Sequence, residues 1–125
     1  NLTIEDNEKK EKYNSLTKYH KVLKINDDLC WLAFRPVTGR THQIRKHASM
    51  LNFPIVGDKK YGNKNQKKIK FNKLHLHSHS VDFKGLNGDI LHFEASLPEH
   101  MKKTWIKYNL PLKLDNDFFI SDWGI

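Results

Sequence analysis

Apolar and polar positions alternate over residues 15–25, where Leu16, Val22 and Leu23 are apolar and Thr17 and Tyr19 favour extended backbone. That pattern predicts a strand. Asn26-Asp27-Asp28 is turn chemistry. Residues 29–35 predict a second strand, hairpinned on the first and ended by Pro36. Residues 74–83 alternate strictly, so the strand they predict carries His75, His77 and His79 on one face. Gly85, Asn87 and Gly88 then turn the chain into a further strand over 89–95.

Helical spacing occurs twice. Thr38-Gly39-Arg40 reads as a tight turn, after which Thr41 caps a helix running to about Leu51, with Ile44, Ala48 and Leu51 as its buried stripe. Arg45 lies beside that stripe near the helix start. Asn52-Phe53-Pro54 breaks the helix, and residues 55–58 read as a short extended piece. Pro98 and Glu99 open a last helix near 99–108, with Met101, Trp105 and Tyr108 on one face. Residues 1–13 are charged and without period, which predicts a mobile lead-in or loop, and residues 109–125 read as a tail. The whole predicts an α+β fold: an antiparallel-rich mixed sheet with two or three helices, its ordered part spanning residues 15–108 without an internal boundary.

Composition narrows the class. A chain of 125 residues with 38% hydrophobic positions and 14 aromatics can build a core, which excludes full-length disorder and a multidomain enzyme. No apolar run approaches the length of a membrane span. The single Cys30 excludes a disulfide framework, fits a reducing intracellular compartment, and reads as a structural thiol within an apolar strand. The sequence opens on Asn1 with no charged-then-apolar leader behind it, which reads as a piece of a longer protein.

The net charge of +8 is concentrated. Residues 58–73 hold seven lysines against Asp58 alone, which points to a polyanion such as nucleic acid. Three of the 22 basic residues are arginines, and all three (Arg35, Arg40 and Arg45) fall within one short segment. A planar, permanently charged fork suits a carboxylate or phosphate held in fixed geometry, so chemistry is expected around Arg40 and Arg45.

Two other constellations are weaker. Five histidines (His42, His47, His75, His77 and His79) invite a metal reading. However, His42 and His47 are five apart and do not share a helix face, and no carboxylate joins the strand triplet at ligand spacing. Residues 57–64 nearly match a phosphate-binding loop, but Asn63 stands where lysine is needed and no helical pattern follows.

What remains is Arg-Pro-Val-Thr-Gly-Arg-Thr-His-Gln-Ile-Arg-Lys-His, residues 35–47, at a strand-to-helix junction whose free amides favour anions. The block Thr38-Gly39-Arg40-Thr41-His42-Gln43-Ile44-Arg45, followed by Pro54-Ile55-Val56-Gly57-Asp58-Lys59-Lys60-Tyr61-Gly62 and then Leu74-His75-Leu76-His77-Ser78, resembles the RluA-type family of RNA pseudouridine synthases in order and gaps. Phe93-Glu94-Ala95-Ser96-Leu97-Pro98 resembles that family's closing strand and turn, with Ser96 where proline is more usual.

The resemblance implies part of a pseudouridine synthase catalytic domain, its C-terminal part. It implies isomerisation of uridine in rRNA or tRNA, with the base detached from C1′ and rejoined through C5, without cofactor or metal. The family's catalytic aspartate sits in a His-Arg-Leu-Asp-like motif, and a tyrosine lies beneath the base; neither segment occurs in these 125 residues. Arg45 is then the catalytic position carried over, as the partner of that aspartate, opening onto a half-cleft. Arg40, Thr41, His42, Gln43 and Leu76 are the implied substrate contacts. Lys59, Lys60, Lys64, Lys67 and Lys68 are expected on RNA backbone, Ser78 replaces a usual alanine, and the chain alone is expected to be inactive and to self-associate. A non-catalytic RNA-binding module on the same scaffold is the alternative, and a histidine metal site ranks third.

Overall fold

The computed structural model describes residues 2–7, 14–62 and 71–113. The fold is α+β, with five strands and two helices among the described residues. They divide into two compact units, one reaching to Leu74 and the other spanning His75–Lys113. The division falls inside the stretch read from sequence as one domain.

The first unit carries an antiparallel sheet in the order β1 (Leu2–Asn7), β2 (Asn14–Lys24), β3 (Cys30–Pro36). The β2–β3 hairpin forms as its alternation predicts. Its turn is closed by Asn26, whose Oδ1 accepts the amides of Asp28 and Leu29 at 2.8 and 2.9 Å. The register shifts between Lys21 and Leu23, a bulge that leaves Val22 as the extra residue.

The lead-in reading of residues 1–13 fails for Leu2–Asn7, which pair along β2 from Leu2 opposite Tyr19 to Asn7 opposite Asn14. An edge strand needs only one apolar anchor. Ile4 is buried opposite the fully buried Thr17, while Thr3 and Glu5 face solvent. Residues 8–13 lie outside the described residues.

Helix α1 (Gln43–Met50) begins two residues later than predicted, and its inward face is different. Gln43, His47 and Ala48 are buried, whereas Ile44 and Leu51 are only half-buried. The reason is the surface α1 meets. β2 presents Ser15 and Thr17, and His47 lies 3.0 Å from Ser15 Oγ through Nε2 and 2.6 Å from Thr17 Oγ1 through Nδ1. A polar strip on the strand selects a polar strip on the helix, since each buried group needs a partner. Residues 55–58, expected to be extended, instead form a turn in which Asp58 N donates to Ile55 O at 3.0 Å.

The second unit holds a hairpin, β4 (Ser80–Lys84) with β5 (Ile90–Glu94), and α2 (Glu99–Lys107). The strand predicted over 74–83 begins only at Ser80. Ahead of it, His75 Nε2 lies 2.8 Å from Thr104 Oγ1 and His77 Nε2 donates to Ala95 O at 2.9 Å. The histidines thus bond to α2 and to the residue after β5 instead of lying along one ladder. Among the described residues no group of His, Cys, Asp or Glu is arranged to hold a metal ion. Helix α2 buries Met101 and Trp105 as its spacing predicts, while Tyr108 sits half-buried at the C-cap.

The hairpin has an apolar face. Val81 pairs with Phe93 and Phe83 with Leu91, so all four point the same way, and each is between 40% and 55% exposed. The opposite face sets His92 between Asp82 and Glu94. No helix of the described residues is long and apolar enough to cross a membrane.

Thr17→Val tests the polar core of the first unit. The isosteric change strips Gln43 Nε2 and His47 Nδ1 of a buried partner, and should lower unfolding stability by about 2 kcal/mol. A urea midpoint unchanged from the parent chain contradicts that account.

Candidate functional site

Two side chains fold residues 38–62 of the first unit into one hydrogen-bonded body. The first is Gln43, the opening residue of α1. Its Oε1 accepts the Thr38 hydroxyl at 2.6 Å and the Arg40 amide at 3.0 Å. Its Nε2 donates to Leu16 O and to Thr17 Oγ1, both at 2.9 Å. Thr38 Oγ1 in turn accepts the Leu16 amide at 3.0 Å. The Thr38–Arg40 turn is therefore pinned to β2 through one buried amide, which is 5% exposed.

The second is Asp58. Its Oδ2 accepts Arg45 Nε at 2.9 Å and its Oδ1 accepts Arg45 Nη2 at 2.8 Å, a parallel two-bond fork. Oδ1 also accepts the amides of Lys60 and Tyr61, each at 3.0 Å. The carboxylate side chain is fully buried, and that of Arg45 is 21% exposed. The Arg45 hydrogen bonds, helped by the two amides, hold Asp58 down to a pKa of about 2 against the opposing effect of burial. Gly57 makes the approach possible. It sits at φ +82, and a Cβ there would overlap the Lys73 carbonyl.

Tyr61 completes the arrangement. Arg45 Cζ lies 5.1 Å from the centre of its ring, Ser49 Oγ donates to its carbonyl at 3.0 Å, and its hydroxyl is 3.0 Å from His42 Nδ1. Lys60 Nζ also approaches the ring, at 5.4 Å. His42 is the helix cap in place of the expected Thr41. It adopts φ 52 and ψ 28 and makes no capping hydrogen bond through its side chain. The exposed Thr41 takes no part in the cap, because Gln43 already closes the turn from within the helix.

No protein-family model matches the chain. Curated proteins do. A ribosomal large subunit pseudouridine synthase C of Rickettsia typhi is 42% identical over 83 residues, covering 64% of this chain and 27% of that protein. An uncharacterized RNA pseudouridine synthase, YlyB, of Bacillus subtilis is 42% identical over 89 residues, or 70% and 28%. A ribosomal large subunit pseudouridine synthase C of Haemophilus influenzae is 47% identical over 72 residues, or 54% and 22%. These matches support the resemblance to the RluA-type family of RNA pseudouridine synthases. The chain spans less than a third of the length of these relatives.

Against what RluA-type kinship implies, the positions sort clearly. Asp58 grips one edge of the Arg45 guanidinium. Both oxygens are bonded and the side chain is sealed, so a nucleotide reaches it only if the turn dissolves. Gln43, expected on substrate, has all four hydrogen-bonding positions filled inside the chain.

Arg40, Thr41, His42, Lys59 and Lys60 are exposed, and Leu76 is half-buried in the second unit. Lys64, Lys67 and Lys68 lie outside the described residues. Cys30 is half-buried, and burial pushes its thiol up, away from nucleophilic character. Sequence reasoning missed Asp58 and Tyr61 as site residues. The available signal was that Asp58 is the sole acid among seven lysines and stands two and three residues before amides it can cap.

Acid should unlock the site in a defined window. A carboxylate depressed in the folded state stabilises it fully above its unfolded pKa and less as pH falls through the folded one. The first unit should therefore lose stability as pH drops from roughly 4 towards 2. Asp58→Asn should remove that dependence and cost about 2 kcal/mol at neutral pH. Equal acid sensitivity of the variant and the parent chain in urea unfolding contradicts it.

Proposed function

We propose that the chain is the C-terminal part of the catalytic domain of an RNA pseudouridine synthase, which converts uridine to pseudouridine in rRNA or tRNA. The observation that supports this most is the Arg45–Asp58 fork inside the matched blocks. A guanidinium has five N–H donors on two usable edges. Asp58 takes the Nε–Nη2 edge, and among the described residues no partner takes Nη1. Arg45 is thereby aimed and charged, with its second edge available for a carboxylate from a segment outside these 125 residues.

In this reading the incoming aspartate is the reacting acid, and Arg45 keeps it ionised and oriented. Arg40, Thr41 and His42 line the approach of the flipped nucleotide, and Leu76 lies near the base. Lys59 and Lys60, with Lys64, Lys67 and Lys68, bind RNA phosphate without sequence preference, so their contribution fades as salt rises. The partner is RNA, no cofactor takes part, and the protein acts inside the cell. The chain alone is inactive because it lacks the reacting acid.

Arg45→Lys in the full-length parent tests this. Lysine keeps the charge beside Asp58 but cannot present two edges. Pseudouridine formation should fall on the order of 100-fold or more while the protein stays folded. Unchanged turnover contradicts the catalytic role of Arg45, whereas a parent that binds RNA and forms no pseudouridine favours a non-catalytic RNA-binding module on the same scaffold.

The rest of the parent domain also accounts for the apolar face of Val81, Phe83, Leu91 and Phe93. A two-stranded hairpin with one bare apolar face is marginal in water. In the isolated chain, copies of itself cover that face. Sedimentation should show association that strengthens with concentration and is reversed by Phe93→Lys. A monodisperse monomer at all concentrations contradicts it.

A further inference from the structure

His42 is one of three described residues other than glycine with a left-handed backbone, at φ 52 and ψ 28. Glycine, without a Cβ, would occupy that backbone more cheaply. Nor does the imidazole repay the strain by capping the helix, since it bonds no amide of the first turn. Its Nδ1 is instead bound to Tyr61 Oη at 3.0 Å, with the rings edge-on, 5.6 Å apart at 77°. Tyr61 is itself held by Asp58 at its amide, by Ser49 at its carbonyl and by Arg45 across its ring. A fixed tyrosine is thus tethering an exposed, strained histidine from 19 residues away.

The tether decides which nitrogen carries the proton. An imidazole nitrogen is a better acceptor than a phenol oxygen, so the Tyr61 hydroxyl donates and Nδ1 accepts. A neutral ring then bears its one N–H at Nε2, and among the described residues Nε2 has no partner. The charges facing the ring are Arg45 and Lys46 from α1, Lys60 from the following turn, and Asp58 behind Arg45. Desolvation, and after it the three cations, push His42 below the ordinary histidine value, which keeps it neutral at pH 7. The surface therefore offers one neutral N–H donor ringed by positive charge. That combination suits an anionic oxygen.

Gly39 supports a ligand approaching here. It is one of the two glycines of the matched blocks that precede the turn at Asp58, yet a Cβ built on it meets nothing within 4 Å. Among the described residues nothing crowds that backbone, so a ligand can approach it closely.

We propose that Tyr61 is a positioning residue that fixes His42 as its Nε2–H tautomer, and that this N–H binds a phosphodiester oxygen of the RNA beside Arg45. The second half rests on the RNA reading given above. The first half concerns the chain alone and is measured without RNA.

The test is nitrogen-detected NMR of the imidazole rings in the 125-residue chain, parent and Tyr61→Phe, before and after adding a single-stranded uridine-containing oligonucleotide at low salt. Phenylalanine keeps the ring under Arg45 and both backbone bonds, so the turn survives. The parent should show His42 protonated at Nε2 alone, and RNA should shift that N–H. Tyr61→Phe should show mixed tautomers and bind RNA about twofold more weakly, because only part of the rings then carry the Nε2 proton. His42→Asn, which loses the imidazole N–H, should bind about fivefold more weakly, and the double variant no worse than His42→Asn.

A parent ring protonated at Nδ1, or parent-like RNA affinity in Tyr61→Phe, overturns the proposal while leaving the RNA reading in place. A parent chain that does not bind the oligonucleotide overturns the RNA reading itself, and with it the phosphodiester contact.

Discussion

A buried carboxylate gripped by one arginine organises everything around it. Asp58 is sealed from water and stays ionised only because Arg45 and two backbone amides supply four hydrogen bonds. Removing any of them leaves charge or polarity stranded in a poor solvent, so the arrangement holds together or fails as a unit. Through it, a helix and a turn, joined by two residues 13 apart in sequence, become one rigid surface. Tyr61 is set by its amide on Asp58, His42 is set by Tyr61, and Arg45 is set by the fork.

A second anchor makes that surface continuous with the sheet. Gln43 links the Thr38–Arg40 turn to β2, and His47 and Thr17 continue the same network inward. The first unit therefore has a polar seam where an apolar core would be the simpler solution. Hydrophobic contact is indifferent to rotation about the helix axis, but a hydrogen-bonded amide is not. The seam fixes the phase of α1, which is what aims Arg45 at Asp58.

How much of this was legible depends on what each residue answers to. The β2–β3 hairpin, the β4–β5 hairpin and α2 follow local patterns of alternation, turn residues and helical spacing, and they read directly. Strand β1 does not, because an edge strand with one buried side chain is specified by its neighbour's register. The start and inner face of α1 were misread for a related reason. Apolar spacing pointed to Ile44, Ala48 and Leu51, while the surface it packs on is lined by hydroxyls.

The site divides the same way. The linear blocks carried the family resemblance and the exposed basic residues. They could not show that Gln43 faces inward, or that the partner of Arg45 lies 13 residues downstream in the next block. Such facts belong to tertiary hydrogen bonding, which leaves only a faint trace in sequence. Here the trace was one acid isolated among lysines.

The central claim is that Arg45 serves two carboxylates, Asp58 within the chain and a reacting aspartate from outside it. Complementation tests it most directly. The isolated chain is mixed with the preceding segment of its parent and assayed for pseudouridine on RNA. The account predicts no product from either piece alone, product from the mixture, and none when the chain carries Arg45→Lys. Product from the chain alone, or from the Arg45→Lys mixture at the parent rate, contradicts it.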